Sequence, residues 1–105
     1  MLRHLIATFL LSLPLTAGAV QLTPEQCQSL GAFAKQAAEI RDLGADRDKH
    51  IAYVMAANQS LPPELEALLR QVMAVVYASK VTPSELGQML FLKCLQAKGE
   101  IGEMI

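Results

Sequence analysis

The sequence has few of the residues on which nucleic-acid-binding proteins and many enzymes depend. Its 105 residues include two histidines, two cysteines, two tyrosines, three phenylalanines and no tryptophan. Nine basic residues against ten acidic ones give a formal net charge of −1, without a basic run. Nucleic-acid binding needs a basic surface, often with aromatic side chains that stack on bases. We therefore expect no nucleic-acid partner, and the weakly acidic charge also disfavours an anionic membrane surface.

The short motifs that carry common chemistries are also missing from the sequence. It contains no HExxH, no cysteine-rich metal pattern, no GxSxG, no phosphate-binding glycine loop and no dinucleotide fingerprint. The two cysteines do not form a CxxC pair, which argues against a thioredoxin-like redox function. Its serines have no base close to them in sequence. We predict a protein without catalytic activity, cofactor or metal.

Methionine offers one alternative to this prediction. Thioether sulfur prefers Cu(I), so methionines in an exported protein can indicate a copper site. Met55, Met73 and Met89 fall on apolar helical stripes, however, and Met104 lies apart from them. Methionine commonly fills gaps in hydrophobic cores. We therefore interpret these residues as core residues.

The N-terminus has the three parts of a secretory signal peptide. A short positive region precedes an apolar stretch of about nine residues, which is too short to span a bilayer. Pro14 then interrupts the stretch, and Ala17 and Ala19 supply the small residues that signal peptidase reads. The sequence predicts a leader over residues 1–19, cleavage before Val20 and a periplasmic or secreted product. An uncleaved N-terminal anchor is the alternative.

The predicted mature chain, residues 20–105, is long enough for one domain and too short for two. Without Arg3 its net charge falls to about −2. Both Cys27 and Cys94 remain, and an exported chain with an even number of cysteines is expected to be disulfide-bonded. The bond would close a loop over nearly the whole domain and would stabilise it by roughly 4 kcal/mol.

Hydrophobic periodicity predicts four helices and almost no β-strand. The first helix covers residues 24–44, and the second runs from residue 46 or 47 to 57. The third follows Pro63 and runs to residue 79, and the fourth covers residues 83–98. Thr23 and Thr82 each precede a proline, and a Gln or Glu follows at the position that completes a capping box. Pro62 and Pro63 mark the boundary between the second and third helices.

A bond between Cys27 and Cys94 would join the start of the first helix to the end of the fourth. Those two helices must then be antiparallel. Short connections favour a compact arrangement of all four helices. The predicted fold is therefore all-α, a compact four-helix domain with its first and fourth helices linked by the disulfide. The fourth helix is apolar around most of its circumference, so we expect it to be central or to contact another subunit.

The polar stretch between the first and second helices is the candidate recognition surface. Charges of both signs can make directional contacts to a partner. A solvated turn is the alternative, because exposed ion pairs contribute little. The predicted partner-binding residues are Arg41, Asp42, Asp46, Arg47, Asp48, Lys49, His50 and Tyr53. Tyr77 is a further candidate anchor, unless it only covers the core.

His50 would be the one histidine left after cleavage. A functional histidine here could sense pH or act as a general base. The simpler interpretation, which we favour, is a solvated polar residue on a charged helix. An enzyme would need a pocket around this residue.

Several segments carry a resemblance. The leader, Cys27, the run AAEIRDLG at residues 37–44, Val76 with Tyr77, and Cys94 together resemble a group of small proteobacterial envelope proteins. In plan the chain is also similar to the helical, disulfide-bearing immunity proteins that neutralise amidase effectors of type VI secretion. It is more distantly similar to acid-stress periplasmic chaperones. The resemblance implies a periplasmic protein-binding protein that can dimerise, although no inhibitory loop corresponds residue by residue.

Two classes of function follow from these observations. The first is a periplasmic protein-binding or immunity-type protein. The lack of catalytic motifs and the excess of apolar residues on the third and fourth helices favour it. The protein could also form a homodimer through these two helices. The second is an acid-stress chaperone, because protonation of the carboxylates at low pH removes negative charge. A structural role in the envelope is a further alternative.

Overall fold

The structure is a computed structural model that describes residues 21–100. The predicted leader, its cleavage site and residues 101–105, with Met104, lie outside the described residues. Four helices follow one another: α1 (Pro24–Asp42), α2 (Arg47–Ala56), α3 (Pro63–Ala78) and α4 (Pro83–Gln96). The predicted all-α fold is confirmed. Over residues 21–100, β-structure is limited to a single bridge between Gln21 and Glu100.

The helix starts follow the capping residues in the sequence. At α1 the Thr23 hydroxyl accepts the N–H of Gln26 at 3.2 Å, and the Gln26 side chain accepts the N–H of Thr23 at 2.7 Å, which completes a capping box. At α4 the Thr82 hydroxyl accepts the N–H of Glu85 at 3.3 Å. The Glu85 carboxylate, however, accepts from the Thr82 hydroxyl and does not reach the backbone N–H. The predicted second capping box is therefore only half formed.

Each helix ends one or two residues before its predicted limit. Helix α1 stops where Gly44 adopts a φ of 95°, which glycine adopts without strain. Helix α4 ends two residues before the predicted limit, because Lys98 takes the left-handed conformation with a φ of 55°. The Gly99 N–H then donates to the Cys94 carbonyl at 2.8 Å, and the Gly99 carbonyl accepts the N–H of Leu22 at 2.9 Å. The early stop thus lets the chain pair with its own N-terminal segment.

A disulfide joins Cys27 in the first turn of α1 to Cys94 in the last turn of α4. The two Cα atoms lie 5.5 Å apart, and both cysteines are buried in the core. The antiparallel pairing of these two helices is therefore confirmed. Buried Leu22 packs in the same core cluster as this bond.

Two glycines allow α1 and α4 to touch backbone to backbone. A Cβ atom added at Gly31 would lie 2.6 Å from the Gly87 carbonyl oxygen, and one added at Gly87 would lie 2.7 Å from the Gly31 carbonyl oxygen. Both distances are too short for real atoms, so the helices could not approach this closely with any larger residue at either position. The sequence analysis did not identify this crossing.

Helix α1, and not α4, is the central element. It packs most extensively on α4 and also on α3, while α2 packs on α3. The apolar side of α3 is buried in this core. Its buried residues are Leu65, Leu68, Leu69, Val72, Met73 and Val76. Of the two alternatives predicted for α4, a central position is wrong, because its core-facing side meets chiefly α1, and a contact with another subunit stays a prediction. Within residues 21–100, every helix is too short or too polar to cross a bilayer.

Replacing both cysteines, Cys27→Ala with Cys94→Ala, should lower the free energy of unfolding by about 4 kcal/mol, because the bond restricts a loop of 67 residues in the unfolded chain. Urea denaturation of the two proteins would measure the difference. Reduction of the unchanged protein should produce a similar loss. A change below about 1 kcal/mol would contradict the structural importance of the bond.

Gly31→Ala should destabilise the protein by about 1 to 3 kcal/mol, because overpacking at the crossing outweighs the better helix propensity of alanine. Gln28→Ala, an exposed change one turn earlier on the same helix, is the matched control and should stay within about 0.5 kcal/mol. Thermal and urea unfolding would measure both. A Gly31→Ala protein as stable as the control would mean that the close crossing is not needed.

Candidate functional site

Arg41, the first of the predicted partner-binding residues, uses its side-chain donors for hydrogen bonds within the chain. Its guanidinium donates to the carbonyls of Val76 at 2.8 Å, Ser79 at 3.1 Å and Val81 at 3.1 Å. It also pairs with Asp42 at 2.9 Å, and only 13% of its side chain is exposed. A planar guanidinium presents several donors in a fixed fork, which suits three carbonyls at the end of a helix. Arg41 therefore ties the C-terminus of α3 and the loop after it to α1.

The predicted residues Asp46, Arg47, Asp48 and Lys49 form an exposed segment with charges of both signs at the start of α2. We call this segment the mixed-charge turn. Asp46 caps α2 by accepting the N–H of Lys49 at 2.9 Å. Arg47 and Asp48 form an ion pair at 3.3 Å with both side chains exposed, an arrangement that usually contributes less than about 1 kcal/mol. These side chains are available to a partner.

Two exposed apolar residues accompany this turn. Leu43 caps α1 with 87% of its surface exposed, and Tyr53 on α2 is 56% exposed. Tyr53 is one of the predicted partner-binding residues, whereas Leu43 is not. Single exposed apolar residues are common on protein surfaces, so these two do not by themselves define a binding patch.

His50 is the residue whose placement differs most from expectation. Only 6% of it is exposed, and its Nδ1 atom forms a hydrogen bond of 2.6 Å with the hydroxyl of Tyr77 on α3. The two rings meet edge to face, with their centroids 5.6 Å apart. The interpretation of His50 as a solvated residue is therefore wrong. His50 lies on the side of α2 that packs against α3. The charged residues next to it in sequence gave no indication of this contact.

The electrostatics of this pair follow from its burial. Burial lowers the pKa of His50 because the charged imidazolium loses its hydration. Burial also raises the pKa of Tyr77, with a further increase from the negative charge of Asp46 and an opposing effect of Arg41. The Nε2 atom of His50 is buried and has no hydrogen-bond partner among residues 21–100.

Neither ring nitrogen of His50 is bonded to a carboxylate or a serine, so the described residues do not place a nucleophile, base and orienting acid together. In the part of the chain that the structure describes, no three His, Cys, Asp or Glu side chains could jointly hold a metal ion. Of the methionines, Met73 is buried, Met55 packs against the core and Met89 is exposed. The interpretation as core residues therefore holds for two and is wrong for Met89.

The side of α4 that points away from the core carries three large apolar residues among polar ones. It exposes Met89, Leu92 and Leu95, and Leu92 retains 43% of its surface. On the helical wheel Leu92 lies opposite the buried residues Leu86 and Leu90. The apolar residues that surround most of this helix therefore divide into two groups. One group packs on α1, and the other is exposed to solvent.

A shallow groove lies beside this side of α4. It has a volume of about 360 Å³ and runs between α1 and α4 where the two glycines bring the backbones together. The residues that line it are Gln28, Gly31, Ala32, Lys35, Ser84, Gly87, Gln88, Phe91 and Leu92. We call Met89, Leu92, Leu95 and this groove the α4 face. Lys35 is the one charged side chain among the groove residues.

The sequence contained a partial signal for the α4 face. A helix with apolar residues around most of its circumference indicates either a central, buried helix or a helix that also contacts another subunit. The second alternative fits the exposed residues of α4. The groove had no such signal, because a lone glycine in a helix does not show which residue it faces. Only the pairing of Gly31 with Gly87 creates it.

Comparisons with profiles of known protein families, with curated proteins and with solved structures return no match to this chain. The resemblance to envelope and immunity proteins therefore stays a prediction. The function has to be inferred from the surfaces of the chain itself.

Arg41→Gln should lower the free energy of unfolding by about 2 kcal/mol, because three carbonyls lose a charged donor and at least one stays unpaired. The matched control is Arg47→Gln, which removes an exposed arginine and should change stability by less than about 0.5 kcal/mol. Chemical denaturation would measure both variants. Equal effects of the two changes would mean that the Arg41 contacts do not stabilise the fold.

Proposed function

We propose that this chain is a small exported protein without catalytic activity that binds another envelope protein through the α4 face, as an immunity-type inhibitor does. One observation carries the proposal. An apolar row, Met89, Leu92 and Leu95, points to solvent beside a groove whose floor is made of small residues. Exposed apolar side chains grouped on one side of a helix are typical of a site of protein interaction.

The chemistry of the α4 face indicates the kind of partner. The groove is elongated and lies between two antiparallel helices, and apart from Lys35 its lining is uncharged. An amphipathic helix that lays a row of apolar side chains into such a groove would bury the exposed leucines. A partner protein presenting such a helix is the occupant that we propose. The predicted leader and the disulfide support an oxidising compartment for this encounter.

A second copy of the chain is another way to cover the α4 face. The homodimer expected from the sequence would use the third and fourth helices together. The apolar side of α3 is buried within the chain, so α4 would have to supply most of such an interface. Light scattering separates the two cases, because a partner-binding monomer and a homodimer differ twofold in mass.

Leu92→Glu should weaken partner binding by about 30-fold or more, because it places a charge at the centre of an apolar contact. The matched control is Leu43→Glu, which makes the same chemical change at a more exposed leucine on the turn between α1 and α2. Capture from envelope extract would identify the protein retained by the control and lost by Leu92→Glu. Isothermal titration calorimetry with that purified protein would then measure both affinities.

Two results would contradict the proposal. If Leu43→Glu abolished binding and Leu92→Glu did not, the mixed-charge turn would be the binding surface. If the protein were a monomer by light scattering and Leu92→Glu changed no captured protein, the α4 face would not be a binding surface. A dimer that Leu92→Glu dissociates would assign the α4 face to self-association.

A further inference from the structure

Helix α2 is held to the rest of the protein by few buried groups. Only His50 and Val54 are buried among its ten residues. Ile51 and Met55 pack partly against the core, and α2 makes its main contacts with α3 alone. By contrast, α1 and α4 share a disulfide and a backbone contact. Regions with few buried contacts open at lower free energy than the global unfolding.

One of these two buried side chains is titratable and incompletely bonded. The Nδ1 atom of His50 pairs with the Tyr77 hydroxyl, whereas its Nε2 atom is buried without a partner among the described residues. In the neutral ring Nδ1 either accepts from the Tyr77 hydroxyl or donates to it, so this hydrogen bond is kept in both tautomers. In the charged ring both nitrogens are donors, so Nδ1 can no longer accept, and the Nε2 proton always needs an acceptor that the described residues do not supply.

The charged and titratable groups that surround His50 come from α1, α2 and α3. The residue lies in the first helical turns of α2, where the helix dipole is positive, and Arg47 precedes it by three positions on the same helix. Across the contact, α3 supplies Tyr77, whose surroundings include Arg41 from α1 and Asp46 at the start of α2. Asp46 is the one acidic group in this set, and its carboxylate caps the backbone of Lys49.

We propose that α2 is an acid-released flap: protonation of His50 detaches α2 from Tyr77 and α3, while the disulfide-linked pair of α1 and α4 stays folded. Release would uncover Val54 and the partly buried Ile51 and Met55, together with the part of α3 beneath them. The protein would thereby gain an apolar surface at mildly acid pH. This inference does not depend on what the α4 face binds.

The direction of the pH effect follows from proton linkage. Burial lowers the pKa of His50 below its usual value of 6.5, so the closed state binds fewer protons than the open state. The stability of the closed state is complete above pH 6.5 and decreases as the pH falls toward the lowered pKa. Below that pKa both states are protonated and the decrease stops. Within this window the open population should increase by up to about tenfold per pH unit, the limit for a single proton.

Hydrogen–deuterium exchange of the full chain between about pH 7.5 and pH 5 tests the proposal, because most carboxylates stay ionised over this range. After correction for the intrinsic exchange rate, amides of residues 47–56 should exchange faster as the pH falls below 6.5, by up to about tenfold per pH unit, until the lowered pKa is reached. Amides of α1 and α4 should keep their protection. Binding of a hydrophobic dye should increase over the same range.

His50→Gln supplies the decisive variant, because glutamine stays neutral and can still bond to the Tyr77 hydroxyl. It should remove the acid dependence of α2 exchange. The matched control is Lys49→Gln, an exposed change at the neighbouring position of the same helix, which should leave the dependence intact. Should His50→Gln fail to fold, an NMR titration of the His50 ring in the unchanged protein replaces it, and its midpoint should coincide with α2 opening.

Three outcomes would overturn the proposal. The first is α2 exchange that does not depend on pH in the unchanged protein. The second is the same dependence in His50→Gln, which would assign the response to carboxylates. The third is a His50 titration whose midpoint is separate from that of α2 opening.

Discussion

The antiparallel contact between α1 and α4 is the constraint on which the rest of the structure depends. A disulfide joins their ends, and Gly31 and Gly87 let their backbones touch in the middle. Two helices held at two points have little freedom to slide or rotate. The covalent bond acts mainly by restricting the unfolded chain, whereas the glycine contact acts by packing in the folded one. The two effects therefore reinforce each other.

The arrangement of the other helices follows from this pair. Since α4 uses its core side on α1, a different side of α1 receives α3, and α3 receives α2. Arg41 joins these layers by binding the carbonyls at the end of α3 from the end of α1. The packing between neighbouring helices becomes less extensive along this order, from the disulfide-linked pair to the thinly anchored α2. Within residues 21–100, the outer side of α4 stays exposed.

The two functional proposals belong to opposite ends of this gradient. The α4 face lies on the most constrained pair of helices, where a preformed surface binds without a large cost of ordering. The flap lies on the least constrained helix, where one titratable side chain is a large part of the anchoring. A rigid binding surface and a movable helix can therefore coexist in a chain this small.

The sequence by itself determined the number of helices, most of their limits and the pairing of the cysteines. These features depend on local capping residues, on periodicity and on there being only two cysteines. Tertiary structure alone decided that Gly31 faces Gly87, that Arg41 binds carbonyls and that His50 is buried against Tyr77. Each of these contacts joins residues from different helices. Local sequence specifies a helix and its ends, but which side chains meet depends on how whole helices pack.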